Sequence, residues 1–542
     1  MPILNTVRQR LPAPRQDQEA RRARKQDGLP GLEQNAPGPS TIVHLTQKAP
    51  AWYRSAARRH LYFLLFPAAL CSYTTSGYDG SMMNALQTVS YFDDFFDNPR
   101  GSKLGLMSAI MPLGSICSTP FAPWVADRFG RRWGVTVGSL IMHQLDMFLA
   151  SRFTLGFGLP FATTSAPSLV SELSHPKDRA TMTAICNVCW TLGSIIAAWV
   201  TFGTREIEST WSWRLPSLFQ MIPSIIQLST IWFLPESPRW LISKDRGEEA
   251  LDALRKYHGE GEETELVKLE YQEIRTAIFL EQTSQNTTWK SMISTSGNRF
   301  RMFLVLCMGL MSQWSGNGLI SYYLSRVMDT VGITNKDTQA LINGVLQIWN
   351  FALGLTAAFF VERLGRRLLF RTSTIGMLAV FIAWTVASAN FDQTGSSASG
   401  IVVMALIFVF GFFYGIAFGP LSVAYSVEIL PYSIRAKGMA VYVCSTKAAV
   451  FVNQYVNPIG LDNIGWRYCI VYVVIIAIEC IIAYGWFIET KGKGLEEIAV
   501  LFDGEKTNLG GVHGIFKNHY LDPLDRVTFL GHIFRLKIIP IS

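Results

Sequence analysis

The sequence predicts an all-α membrane protein built as two pseudo-symmetric six-helix bundles, and three observations carry that prediction. Of 542 residues, 49% are apolar and only 16% charged, where a soluble protein carries about a quarter. The charges gather near residues 1–60, 240–300 and 490–540, and the apolar runs between them are long enough to cross a bilayer. Three signals also recur in the same order in both halves. DRFGRR (127–132) answers ERLGRR (362–367); Glu172 and Arg179 answer Glu428 and Arg435; PESPRWL (235–241) answers ETKGKGL (489–495). Two parallel six-helix repeats place a binding site near the midplane between them.

The apolar runs fall at about 61–80, 104–125, 133–146, 147–171, 181–202, 213–234, 303–327, 340–361, 370–389, 400–427, 438–456 and 467–488. We label them α1 to α12. The organisation expected is a disordered cytoplasmic tail (1–58), an N-terminal bundle (59–235), a cytoplasmic helical linker (236–300), a C-terminal bundle (301–490) and a cytoplasmic tail (491–542). The linker reading rests on Glu, Lys, Leu and Arg at helical spacing. Arg128, Arg131, Arg132, Lys177, Arg179, Arg363, Arg366, Arg367, Arg435 and Lys437 occupy alternate loops, whereas Arg100, Lys103, Arg205 and Lys336 lie in the others. The Arg-rich side is therefore expected to be cytoplasmic, with both termini, in a plasma-membrane protein.

The repeat also exposes an irregularity. Glu172 to Glu236 is 64 residues and Glu428 to Glu489 is 61, but Asp127 to Glu172 is 45 against 66 for Glu362 to Glu428. The shortage falls in α3, whose apolar run stops at His143, Gln144 and Asp146. A helix of ten to fourteen residues rises about 15–21 Å, against a hydrocarbon core of about 30 Å. α3 is expected to be truncated, through a lost piece of the gene model or transcript or in a defective variant. The end, RVTFLGHIFRLKIIPIS, reads as sequence unrelated to the preceding pattern.

Other classes fit poorly. The net charge of +8 lies in the tail and short loops, where it signals topology and not nucleic acid. The first 50 residues contain no apolar stretch, so no cleavable signal peptide is read. All eight cysteines fall in apolar runs. Cys186 and Cys189 have metal-ligand spacing but no companion pair, so no metal and no cofactor is expected. The polar residues of the spans suggest no nucleophile–base pair, and the chain is not read as an enzyme.

DRFGRR, ERLGRR, PESPRWL, QWSGNGLISYY (313–323) and ETKGKGLEEI (489–498) together resemble the sugar porter family of the major facilitator superfamily, over roughly residues 60–505. GYDGSMMNALQ (77–87), EILPYSIRAKG (428–438) and NQYVNPIGLDNIGWRY (453–468) resemble its fungal branch of lactose permeases, cellodextrin transporters and hexose transporters. The resemblance implies the major facilitator fold, with a sugar, protons and the lipid bilayer as partners. A carboxylate inside a span is a functional candidate by default. By the resemblance, Asp79 of α1 and Arg152 of α4 form a proton switch. Asn187, Gln313, Tyr322, Asn350 and Asn453 match sugar-contacting positions, and amides and phenols suit hydroxyls that both donate and accept. Asp127, Arg131, Glu172, Arg179, Glu362, Arg366, Glu428 and Arg435 match a cytoplasmic latch that holds the outward-open state.

Three positions depart from the family pattern. Ser312 replaces the first of two glutamines, Gly318 stands at the usual asparagine, and Val423 stands where hexose porters often place a tryptophan. Loss of that aromatic enlarges the pocket and weakens stacking on a monosaccharide, which favours a disaccharide or larger glycoside. The reading is proton-coupled symport of a disaccharide or hexose by alternating access. The alternatives are a facilitative uniporter, which would not need a carboxylate at residue 79, and a non-transporting sensor or inactive isoform, suggested by the short α3.

Overall fold

The computed structural model describes residues 50–141, 148–284, 289–491, 498 and 501–503. Most of the expected N-terminal tail and the region of the unusual C-terminal end lie outside the described residues. Every regular element described is helical. α1 runs from Ala56–Leu65 through a π turn, Phe66–Leu70, into Cys71–Leu86. Pro67, which has no amide hydrogen to donate, sits in that turn. α2 comprises Gly101–Ser118 and Phe121–Phe129, bent by 49°. α3 is Arg131–Ile141, α4 Phe148–Leu173 and α5 Arg179–Thr204. α6 comprises Trp211–Phe219 and Met221–Thr230 with Gln220 at the break. Helices Pro238–Ser243, Gly247–His258, Glu265–Ser284 and Ser291–Ser294 follow.

In the second half, α7 comprises Ser296–Trp314 and Asn317–Thr330, broken at Ser315 and Gly316. α8 is Lys336–Leu364, α9 Arg366–Thr394, α10 Ser397–Gly415 with Phe418–Ile429, α11 Tyr432–Ile464 and α12 Tyr468–Gly485. Among the described residues, five helical stretches are long and apolar enough to cross a membrane, or six if the bent pair in α2 is one span. These five cover α7 to α12. α3 has 11 described residues against 29 in α9, the asymmetry read from the repeat.

The cores of the halves differ accordingly. The C-terminal core is continuous, and the outer part of α9 supplies Phe381 and Trp384, stacked at 4.9 Å and buried. The N-terminal core is split. One cluster, with Leu61, Val135 and Leu169, lies toward the Arg-rich loops, on the inner side. A second, with Tyr78, Met82, Phe92 and Trp213, lies outward, and a third, smaller one joins Leu155, Leu159 and Ala162 of α4. Phe148, the first residue of α4, packs at 5.9 Å from Phe92 and 5.2 Å from Phe96. α1 and α5 cross very closely: a Cβ on Gly193 would come 2.0 Å from the Thr74 carbonyl oxygen. The halves meet through α2 with α11 and α5 with α8, equivalent pairs under the repeat, and through α1 with α7.

Candidate functional site

Between the inner and the outer N-terminal clusters, Asp79 and Arg152 meet. Arg152 Nη1 donates to Asp79 Oδ1 at 2.5 Å. Asp79 is 0% exposed and Arg152 3%. The same Oδ1 accepts from Gln220 Nε2 at 2.8 Å, so the break in α6 carries the third member of the cluster. Asp79 Oδ2 is buried without a hydrogen-bond partner. That is the oxygen on which a proton can sit without displacing either donor. A cleft of about 40 Å³, lined by Thr75, Met82, Ser151, Arg152, Ser217 and Gln220, reaches the cluster. It has room for about two or three waters.

The polar residues of the C-terminal half divide into engaged and open. Asn453 is engaged: its Nδ2 donates to the Gln313 carbonyl at 2.6 Å and its Oδ1 accepts from Tyr472 at 3.1 Å. A Cβ on Gly318 would lie 2.5 Å from that Nδ2, so the missing side chain at 318 makes room for the Asn453 amide. The Gln313 side chain makes one long bond, 3.4 Å to Ser312 Oγ, and is partly exposed. The Tyr322 phenol lies beside Gln454 and within electrostatic reach of Asp79. Asn350 is partly exposed and its Oδ1 lies beside Gly411 of α10. It shares a face of α8 with Asn343 and Gln347. Val423 is 51% exposed, and one turn away a Cβ on Gly419 would meet nothing within 4 Å. Asn187 lies in α5, and its side chain falls outside the described residues.

Toward the outer side the halves are joined. Asn84 Nδ2 donates to Asn343 Oδ1 at 2.9 Å, and its Oδ1 accepts from the Leu324 amide at 2.9 Å. Gln87 donates to the Tyr322 carbonyl at 2.9 Å. Lys336 and Arg326 reach Asp93 at 3.7 and 3.9 Å, and Arg205 reaches Asp337 at 3.0 Å. Each described hydrogen bond or ion pair that joins the two bundles lies on this outer side.

On the inner side the described pairs stay within one half or with its linker. Arg131 pairs with Asp127 at 2.8 Å and approaches Glu172 at 3.5 Å, while Glu172 also accepts from Ser237. Arg366 pairs with Glu428 at 3.0 Å, and Thr490 donates to the same carboxylate at 2.5 Å. Glu236 accepts from the amides of Arg131 and Arg132, and Glu489 from those of Arg366 and Arg367. The two sequence repeats thus build one motif twice: a glutamate from the end of the sixth helix caps the amides that open the third. Burial is the largest influence on both carboxyls. It prevails at Glu236 and raises it; at Glu489 the amides of Lys491, Arg366 and Arg367 outweigh it and hold the group below the ordinary range. Arg179 pairs with Glu270 of the linker at 3.2 Å, and Arg435 donates to the Leu430 carbonyl of its own loop. The Glu362 side chain falls outside the described residues.

Residues 64–502 match the family described as Sugar (and other) transporter. The chain belongs to the sugar porter family of the major facilitator superfamily. It is a multi-pass membrane transporter of that family. It is 29% identical over 442 residues to the MFS-type transporter criB of Aspergillus cristatus, covering 80% of this chain and 91% of that protein. It is 26% identical over 459 residues to a high-affinity glucose transporter of Kluyveromyces lactis, covering 78% and 81%. Its fold is similar to the xylose transporter XylE of E. coli in an inward-open conformation, with TM-score 0.67, 20% identity and coverage of 82% of this chain and 100% of that one. It is also similar, at TM-score 0.64, to the same proton:xylose symporter bound to 6-bromo-6-deoxy-D-glucose, with 20% identity and coverage of 82% and 100%.

Sequence reasoning passed over several polar residues of this sugar porter's interior. Gln220 carried no signal, since an amide beside a helix break looks like loop. Asn84 and Gln87 sat within a quoted motif without being assigned a contact. Lys447 and Glu479 were readable as charged residues in apolar runs. Glu479 is 3% exposed and neither carboxyl oxygen has a partner; its neighbour is Tyr414 of the C-terminal core.

Proposed function

We propose that this sugar porter is a proton-coupled symporter that imports a hydroxylated solute, a hexose or disaccharide in size, by alternating access. The observation that carries the reading is the buried Asp79–Arg152 pair, with Gln220 as a second donor and one carboxylate oxygen open. With Asp79 ionised, Arg152 and Gln220 hold α1 to α4 and α6. A proton on Oδ2 removes the charge and weakens the Arg152 attraction, so α1 can move with its bundle and enclose the solute. Loss of the proton on the inner side restores the pair and favours release. Gln313, Tyr322 and Asn350 keep polar capacity for a solute, and a valine at 423 takes less space than an aromatic side chain there would.

We read residues 59–235 and 301–490 as the moving bundles, 236–300 as a cytoplasmic linker, and the plasma membrane as the location, with both termini in the cytoplasm. For a neutral solute, one proton per cycle gains about 2.3 kcal/mol per 100 mV of inside-negative potential and about 1.4 kcal/mol per pH unit. Purified chain in liposomes should therefore alkalinise the outside when sugar is added. Sugar uptake with no proton movement supports the facilitative reading. The short α3 favours a second reading, a non-transporting form, and failure of a stably inserted chain to exchange any sugar supports that one.

A further inference from the structure

Lys447 has no place in the proton switch or among the sugar-contacting positions. It stands mid-way along α11, Tyr432–Ile464, about 22 Å from one end and 25 Å from the other at 1.5 Å per residue. That is too far for its four-carbon stem to bring the ammonium to either surface. A charge at such depth is costly and marks a ligand or ion path by default. Among the described residues Lys447 makes no hydrogen bond and no ion pair, and the charge it feels is that of Asp79 on the opposite half. The side chain is partly exposed. Its electrostatic reach to Asp79, on the other bundle, points that exposure toward the interior.

Among the described residues, two cations of the interior, Arg152 and Lys447, thus share one carboxylate, Asp79. Arg152 already occupies Asp79. Seven residues along α11, on the same face as Lys447, Gln454 is buried with its Oε1 unpartnered. The Tyr322 phenol stands beside it. An ammonium without a counter-charge and an amide oxygen without a donor, on one face, complement a molecule that carries both an anionic group and a hydroxyl.

We propose that the solute is an acid: a polyhydroxylated molecule of sugar size bearing one carboxylate or comparable anionic group, which pairs with Lys447 while a hydroxyl donates to Gln454. The assignment rests on the transport reading above and sharpens its substrate class. It has a consequence for energetics. One proton entering with one monoanion moves no net charge, so uptake of the acid responds to a pH gradient and not to membrane potential.

D-glucuronate and D-glucose, which share a ring and differ in charge, test this in liposomes holding the full chain, as wild type, Lys447→Gln and Lys447→Arg. Wild type should take up glucuronate at a concentration about tenfold or more below that needed for glucose, the scale of one hydrogen bond to a charged group. An imposed inside-negative potential should leave glucuronate uptake unchanged. Lys447→Gln should lose the preference while keeping glucose uptake, and Lys447→Arg should keep it. Glucose uptake with glucuronate excluded, or a preference unchanged in Lys447→Gln, overturns the acid assignment alone. Uptake of neither solute by wild type overturns the transport reading beneath it.

Discussion

Asp79 is held through one oxygen by donors from two other helices, and that sharing was half legible in the chain. A lone carboxylate and a lone guanidinium in apolar runs announce themselves, because burying either alone is so costly. Gln220 does not, because an amide needs no partner in the sequence to be tolerated. Asn453 shows the opposite limit. Its residue type suits a sugar, yet both ends of its amide serve helix contacts in this conformation. Glycine in the DRFGRR loop is a sharper case, since its requirement is geometric. Gly130 has φ of +109°, and a Cβ there would lie 2.4 Å from a Glu236 carboxylate oxygen. Gly130→Ala is expected to lower stability by about 1–3 kcal/mol, the scale of a strained backbone position, seen as a lower unfolding temperature in detergent. Gly354→Ala, where nothing lies within 4 Å, is the control and should leave that temperature unchanged or raise it.

Among the elements, the short α3 was readable because a repeat supplies its own ruler. How the N-terminal core adapts was not, because Phe92 and Phe96, Phe148, and Trp213 come together from three separate segments. The docking of the linker was equally hidden. His258 lies 2.7 Å from Glu270 and 3.1 Å from the Leu173 carbonyl, and Arg179 approaches the same Glu270. Burial opposes charge on His258, but the Glu270 carboxylate outweighs it and raises the imidazole above its ordinary 6.5. Burial likewise opposes the Glu270 charge, yet His258 and Arg179 hold that carboxyl below 4.5. His175, 5.3 Å from the His258 ring, is pushed down to about 3 by burial and by His258. The signs separate the groups. A raised histidine stabilises fully below its unfolded value and loses that stabilisation as pH rises through its folded value. A lowered histidine changes stability only below 6.5, and a lowered glutamate only below 4.5. Loosening above pH 6.5 thus belongs to His258 within this cluster. Hydrogen exchange in Gly247–His258 and Glu265–Ser284, corrected for intrinsic rates, should quicken as pH rises above that point. His258→Gln should abolish that rise.

Across the whole molecule, the two-bundle plan was legible from repeated loops, whereas the conformation was not, because one sequence serves every state of the cycle. The described polar bonds between the bundles are all outward, and the described pairs of the inner loops stay within one half or with its linker. Bonds so placed hold the outer side closed, as an inward-facing arrangement requires. Replacing Asn84 with Ala removes two of the outer bonds. At about 1 kcal/mol each, their loss should shift the balance toward the outward-facing state by roughly tenfold or more. Spin labels at Ser102 and Thr334, both exposed near the outer ends of α2 and α8, should then report a larger population of long distances.

Asp79→Asn tests the central claim most directly, because asparagine keeps the shape of the carboxyl and cannot shed a proton. In liposomes, labelled-solute exchange down a concentration gradient should continue, while uphill uptake driven by an imposed pH gradient, and the accompanying proton movement, should both vanish. Proton-driven accumulation undiminished in Asp79→Asn would contradict the account.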